Sequence, residues 1–463
     1  MSNRRIYSKK SPLKKYIGIF LFLVIVFAVG FVYTSSMFEQ NKPTIKFKDK
    51  QYWNLKTPLI VELKDDTGLQ HYSVTYLAKD QEIILNTKVL EKSGTYAKVK
   101  IYPPVLNEFN KQANGKLKIE VSDISKWNFL NGNSTVKLYD IYIDTVSPTA
   151  KVINNTYAIR RGGSAVVVVK VKDINLKQAY ISFNDKLKFK LTPFYEQDYY
   201  AALIAWDVNI KYDDFKRVNL VAIDKANNIT KVKVPLYIRP LKNKKSTLKV
   251  SDKFINKASV EVLKHMHEAV PTDQADIFIK VNKSVRAQNV NFLRELGLTK
   301  MNNDMIDSFK IKPFKRLSGS RQVGNYADER TYTYNGKVID HAWHLGIDWA
   351  SIKHAKIYSS NAGSVIFKDY LGIYGNAIII DHGLGLASLF AHTSSSQVEQ
   401  GDKVKAGQYI ANTGATGAVF GDHLHFGIMV QGIEVNPKEW MDKQWIKTRI
   451  TDILDDAKEL IDK

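Results

Sequence analysis

The sequence predicts a mainly β chain: one N-terminal apolar helix, two β-sandwich domains in tandem, a helical linker segment and an antiparallel β domain. Three observations predict it. An uncharged run fills residues 16–33; short β-branched and aromatic runs alternate with turn clusters over residues 41–240; and seven of the ten histidines lie from His341 to His425, among glycine-punctuated strands.

At 463 residues the chain exceeds one ordinary core, and roughly three or four domains are expected. Its 44% hydrophobic and 25% charged content is that of folded protein. A net charge of +22 favours polyanions such as anionic lipid or an anionic wall polymer. No helix-turn-helix, RNA-binding signature or zinc-finger spacing accompanies it, so nucleic acid is not an expected partner. The absence of cysteine excludes disulfides and thiolate metal sites.

Residues 1–15 carry Arg4, Arg5, Lys9, Lys10, Lys14 and Lys15 and no acid, and read as a basic cytoplasmic tail. The run that follows, at about 1.5 Å per residue, nearly spans a hydrocarbon core of about 30 Å. Tyr16 and Tyr33 bracket it as interfacial aromatics do. Residues 16–34 therefore read as a transmembrane anchor with the rest of the chain exported. Thr34, Ser35 and Ser36 are small enough for cleavage, but the run is long for a signal peptide and favours an uncleaved anchor.

Residues 41–146 and 147–240 read as two copies of one β unit. Pro43-Thr-Ile-Lys-Phe47 returns 105 residues later as Pro148-Thr-Ala-Lys-Val152, and Asp66-Thr-Gly-Leu69 returns 107 later as Asp173-Ile-Asn-Leu176. Each copy closes on a turn, at Asp123 to Asn128 and at Asp224 to Asn228, where side chains can cap their own backbone. Through Ala222-Ile-Asp224-Lys-Ala226-Asn-Asn228 the second copy resembles bacterial immunoglobulin-like repeats. Both are expected to be spacers.

Residues 241–311 read as a basic linker and a helical segment. Ser251 is the expected cap; Val260, Leu263, Met266 and His267 share a face, as do Val285, Phe292 and Leu296; Pro271 divides the segment. By proximity, residues 251–311 are the natural plug for a groove in the domain that follows. His71, His265 and His267 lack an acidic partner at metal spacing and read as surface or packing residues. Residues 444–463 repeat Ile446, Ile450, Ile453, Leu454, Ala457 and Leu460 at three-and-four spacing, an amphipathic helix that packs back on its own protein.

Residues 312–440 carry the chemistry. On a strand, His423 and His425 are two apart and point to one face. His344 and Asp348 flank Gly346, where a strand running into a turn can bring both to one point; His392 ends a third strand. A catalytic zinc takes three such ligands and keeps one position open. Two histidines are then left for proton transfer and for an oxyanion. Spacing does not choose between His423 and His425 as ligand.

Six motifs stand in order: His344-Leu-Gly-Ile-Asp348, Tyr374-Gly-Asn376, Ala391-His392, Gly401-Asp-Lys-Val-Lys-Ala-Gly-Gln408, Thr413-Gly-Ala-Thr-Gly417 and His423-Leu-His-Phe426. The chain here resembles the lysostaphin-type (LytM-like) zinc metallopeptidases, which are peptidoglycan endopeptidases. The resemblance implies an antiparallel β metallopeptidase domain in which His344, Asp348 and His425 ligate Zn2+. It implies that His423 acts as base toward the metal-bound water and that His392 steadies the oxyanion. Gly427 stands where the family usually has Glu, at a position that neither ligates nor carries a proton. His341, His354 and His382 match no catalytic position, and Asp381 and Asp422 read as turn residues. The expectation is a single-pass endopeptidase of peptidoglycan cross-links in a bacterial inner (cytoplasmic) membrane. Its C-terminal bulk would lie in the periplasm or envelope space, with peptidoglycan and envelope proteins as partners. The rival is a non-enzymatic envelope scaffold or regulator that binds peptidoglycan or activates another wall hydrolase.

Overall fold

A computed structural model describes residues 12–78, 81–90, 94–103, 114–300 and 304–463. The architecture is mainly β. The chain forms two compact units: residues 1–147 with 225–228, and residues 148–224 with 229–463.

The first unit starts with helix Pro12–Thr34, the one described helix long and apolar enough to cross a membrane. It begins ahead of the expected span, because Leu13, Lys14 and Lys15 are good helix formers and extend it by a turn. Arg4, Arg5, Lys9 and Lys10 of the expected tail lie outside the described residues. Two sheets then face each other. One joins Thr44–Lys46, Leu59–Lys64 and Tyr96–Ile101; the other joins Lys50–Trp53, Ser134–Ile143, Gly115–Asp123, Leu69–Ala78 and Gln81–Val89. Leu59, Val61 and Leu63 point into the shared core while Ile60, Glu62 and Lys64 point out, the two-residue period of a half-buried strand. The closing turn differs from the expected one. A short helix, Trp127–Leu130, is inserted, so Asn133 and not Asn128 completes it by donating to Asp123.

In the second unit, one sheet joins Thr192–Pro193, Tyr199–Ala205, Ser164–Lys172 and Thr149–Asn155. A second joins Leu187–Lys190, Leu176–Phe183, Val218–Asp224 and Ile229–Lys233. Strand Ser164–Lys172 is buried on both faces over Ala165 to Val169. The C-terminal helices explain this: Ile446, Ile450, Leu454 and Ala457 enter the same core. Asn154 donates to the Ile453 carbonyl (3.0 Å) and Thr156 to that of Arg449 (2.7 Å). That core continues into Trp349 and Phe426 of the histidine-rich domain, so the second β unit is welded to it and is not a detached spacer.

The basic stretch 239–249 is not a free linker. Tyr237–Arg239 pairs with Ala158–Arg160, and Lys245–Lys249 runs parallel to Asp328–Tyr334. Alternating exposed lysines suit such an edge strand. The helical segment follows, with Ser251 capping Phe254 N (3.3 Å). Val262 and Leu263 are buried in its core, Val260 and Met266 pack half-buried against it, and His267 is exposed beyond the helix at φ 55°. His267 leaves the face because the helix, which follows a wide π turn at Ile255–Ser259, ends at His265. Residues 301–303 lie outside the described residues.

The histidine-rich domain is built on an antiparallel sheet in the order Arg321–Gly324, Ile347–Ala350, Leu424–Val430, Leu386–Ala391, Asn376–Asp381, Gly363–Tyr370 and Lys403–Val404. Ile433–Val435 adds to Leu424–Val430.

Candidate metal centre

Sheet register assembles the site. Asp348 pairs with His425, and His425 pairs on its other side with Ala391, the neighbour of His392. Directly opposite residues share a face, so Asp348 and His425 meet. His344 ends strand Lys337–His344, and the two-residue turn Leu345-Gly346 returns the chain into Ile347–Ala350. The result is a triangle of donor atoms. His344 Nε2 lies 2.9 Å from Asp348 Oδ1 and 3.1 Å from His425 Nδ1, and His425 Nδ1 lies 2.9 Å from Asp348 Oδ1. All three residues are buried.

Backbone carbonyls orient the imidazoles. His344 Nδ1 donates to Asn325 O (2.8 Å), which leaves the Nε2 lone pair facing the triangle. His392 Nδ1 donates to Thr416 O (2.8 Å) and His423 Nδ1 to Gly421 O (2.8 Å), so both keep Nε2 for the cavity. The His392 and His423 rings are 4.9 Å apart, and His423 Nε2 is 3.7 Å from Asp348 Oδ1. Burial drives the His425 pKa down to about 4 against the opposing pull of Asp348. Burial, with His423 and His425 beside it, holds His392 well below the usual imidazole range. Burial alone would raise Asp348, but His344 and His425 overcome it and hold the carboxyl well below its usual value. The neutral His425 imidazole and the Asp348 carboxylate thus face the Nε2 of His344, a donor set suited to a divalent cation.

Glycines make the room. A Cβ on Gly346 would stand 2.5 Å from His425 Nε2, and one on Gly324 would strike the Asp348 carboxyl. The helical segment supplies one wall of the cavity through Phe254, Phe278, Val281, Asn282 and Arg286, and Phe254 stacks on Phe420 of the opposite loop (4.2 Å).

Residues 342–437 match peptidase family M23. This part of the chain is an M23 peptidase domain.

Its relatives in sequence include the DD-carboxypeptidase/endopeptidase Mpg of Neisseria meningitidis serogroup B, 38% identical over 108 residues, covering 23% of this chain and 25% of Mpg. The murein hydrolase activator EnvC of Escherichia coli is 40% identical over 79 residues, covering 17% and 19%. The chain thus spans about a quarter or less of the length of these relatives. Among solved structures, the catalytic domain of lysostaphin from Staphylococcus simulans aligns with a TM-score of 0.24 at 26% identity, over 27% of this chain and 94% of that one.

The other histidines stay apart from the triangle. His341 meets the Thr331 hydroxyl (3.1 Å) and His71 that of Thr87 (3.1 Å), while His265 stacks on Tyr370 (4.2 Å). His382 is held between Ala362 O and Ser388 Oγ (both 2.8 Å). Asp422 does more than form a turn: it accepts from Thr413 Oγ1 (2.6 Å) and His354 N (3.2 Å), and so fastens the loop entering His423. Asp381 ends strand Asn376–Asp381 and is not a turn residue, and burial lifts it to about 6. Three residues around the centre had no role assigned from the sequence. Arg330 reaches Asp348 Oδ2 (3.4 Å). Tyr374, whose ring is 5.6 Å from that of His425, donates to buried Glu434 (2.5 Å). Only the Tyr374-Gly-Asn376 motif pointed toward any of them.

Proposed function

We propose that the chain is a zinc endopeptidase that hydrolyses amide bonds in peptidoglycan peptide cross-links. The observation that carries this reading is the triangle of His344 Nε2, Asp348 Oδ1 and His425 Nδ1, with the His392 and His423 Nε2 atoms facing the same cavity. Edges of 2.9–3.1 Å are close to the roughly 3.3 Å edge of a tetrahedron of ligands about 2.0–2.1 Å from zinc. Nitrogen lone pairs so close repel each other unless a cation lies between them. Zinc held by His344, Asp348 and His425 would supply Lewis acidity toward the scissile carbonyl and the attacking water. His423 Nε2 takes the proton of that water, because its Nδ1 is committed to Gly421 O. It then returns the proton to the leaving amine. His392, its ring fixed by Thr416 O, stands beside it; because Nδ1 donates to that carbonyl, it steadies the oxygen of the tetrahedral carbon only with a second proton on Nε2, a form that burial disfavours until negative charge develops beside it.

In this reading the helix Pro12–Thr34 is a single-pass anchor in the cytoplasmic membrane, and the rest of the chain lies in the periplasm or envelope space. Residues 41–146 and 147–240 are two immunoglobulin-like sandwiches, 312–440 the peptidase domain and 444–463 its closing helix. Mpg, named as a DD-carboxypeptidase/endopeptidase, supports the substrate class. EnvC, named as a hydrolase activator, keeps a non-enzymatic envelope partner as the rival. Full-length protein in detergent is incubated with cross-linked peptidoglycan, with and without chelator. New uncross-linked muropeptides that vanish with chelator and with His423→Ala are expected. Muropeptide profiles indifferent to both would refute the enzyme.

A further inference from the structure

A second cluster of potential metal ligands lies in the first compact unit, far along the chain from the M23 domain. Glu39, Asp65 and Asp123 each offer a carboxylate oxygen, and these atoms lie within 4.8 Å of one another. Asp65 follows strand Leu59–Lys64, Asp123 ends Gly115–Asp123, and Glu39 lies between the apolar helix and Thr44–Lys46. Asp123 is 0% exposed and Asp65 9%. Among the described residues no lysine or arginine makes an ion pair with any of the three.

The hydrogen bonds leave specific oxygens open. Asp65 Oδ1 accepts from Gly68 N (2.7 Å), Thr67 N (2.9 Å) and the Thr67 hydroxyl (3.1 Å). Its Oδ2 is buried and has no hydrogen-bond partner, and the same is true of Glu39 Oε2. Asp123 is held rigidly: Oδ1 accepts from Asn133 N (2.8 Å) and Ser125 N (3.0 Å), and Oδ2 from Asn133 Nδ2 (2.8 Å), which leaves Oδ2 a lone pair. A buried carboxylate oxygen with no donor is costly, and neighbouring like charges add to the cost. A cation among the three removes both penalties. All the donors are oxygen, and two of the three are set by turns and not by a regular cage. That favours calcium, which accepts irregular oxygen coordination, over magnesium, which demands near-octahedral geometry.

We propose that Glu39, Asp65 and Asp123 form a calcium site that fastens the segment leaving the apolar helix to the end of the first β unit. The backbone there is already laid for such a clamp. The Glu39 carbonyl accepts from the Ser125 hydroxyl (2.7 Å) and Asn133 Nδ2 (2.9 Å), and Lys126 N donates to Met37 O (2.7 Å). Calcium adds the Glu39 side chain to these contacts. Without it the three carboxylates repel, and the junction at residues 37–43 loosens.

The test uses full-length protein in detergent, titrated with Ca2+ alone and with Mg2+ alone by calorimetry and thermal unfolding. One Ca2+ per chain is expected, with Kd in the range of roughly 10⁻⁴–10⁻³ M typical of extracellular modules. Asp65→Asn and Glu39→Gln should each weaken it by about tenfold or more. Glu39→Gln guards against misfolding, since Oε2 bonds to nothing. His344→Ala should bind Ca2+ as the parent does, which separates this site from the triangle. No calcium heat and no thermal shift at millimolar Ca2+ would overturn the proposal. So would an equal response to Mg2+, or undiminished binding by both variants.

Discussion

Replacing Glu434 with glutamine should stabilise the second compact unit at neutral pH and leave it unchanged in acid. Glu434 is 6% exposed and accepts the Tyr374 hydroxyl at 2.5 Å. Burial raises its pKa from 4.5 to about 7, against the opposing effects of Tyr374 and Arg286. A carboxyl raised on folding binds its proton more tightly in the folded chain. Its contribution is therefore fully present below 4.5 and is lost as pH rises through about 7. At about 1.36 kcal/mol per pKa unit, the gap corresponds to roughly 3 kcal/mol, an upper bound. Glutamine keeps a carbonyl for Tyr374 and cannot ionise. Melting curves of parent and variant should coincide near about pH 4 and separate by about 5 °C near about pH 8 for a unit of this size. An offset that does not change with pH would refute the reasoning, because a packing difference has no proton to lose.

Other outcomes follow from the same geometry. Gly346→Ala should push on the His425 ring and lower zinc affinity by about 10–100-fold, measured by competition with a chromogenic chelator. His344→Ala should abolish stoichiometric zinc in elemental analysis and hydrolysis with it, while far-UV circular dichroism stays β-type. Asn289 accepts Ile373 N (2.9 Å) from inside the helical segment, so Asn289→Ala should leave a buried donor unpaired and cost about 1–3 kcal/mol in urea unfolding. Phe254→Ala removes the stack on Phe420 and should widen the groove; faster release of muropeptides would mark the helical segment as a brake, and an unchanged rate would mark it as a wall.

Much of the centre was legible because its geometry follows from strand period and short range. His423 and His425 share a face by the two-residue repeat, and His344 and Asp348 meet because only a turn separates them. What escaped depends on backbone atoms and on contacts distant in sequence. The carbonyls of Asn325, Thr416 and Gly421 orient the imidazoles, and any residue type supplies a carbonyl. Arg330 is eighteen residues from Asp348 and reads in sequence as one more surface cation. His267 fell off the expected face because the helix ends at His265, an end that no glycine or proline marks. The lysine-rich stretch 239–249 read as linker because edge strands and solvated linkers share a composition.

The continuous core of the second unit sets where the molecule can be cut. The M23 match covers residues 342–437, but inside it Asn436 N donates to Gly162 O (2.8 Å), Gln431 to Leu203 O (3.2 Å), and Ile373 N to Asn289 (2.9 Å), all beyond its borders. Excision at the borders of the match would strip these partners and expose an apolar face to water. The smallest transplantable cassette is then residues 148–463, and a chimera that exchanges the hydrolytic head must carry the second sandwich and the terminal helix along with it.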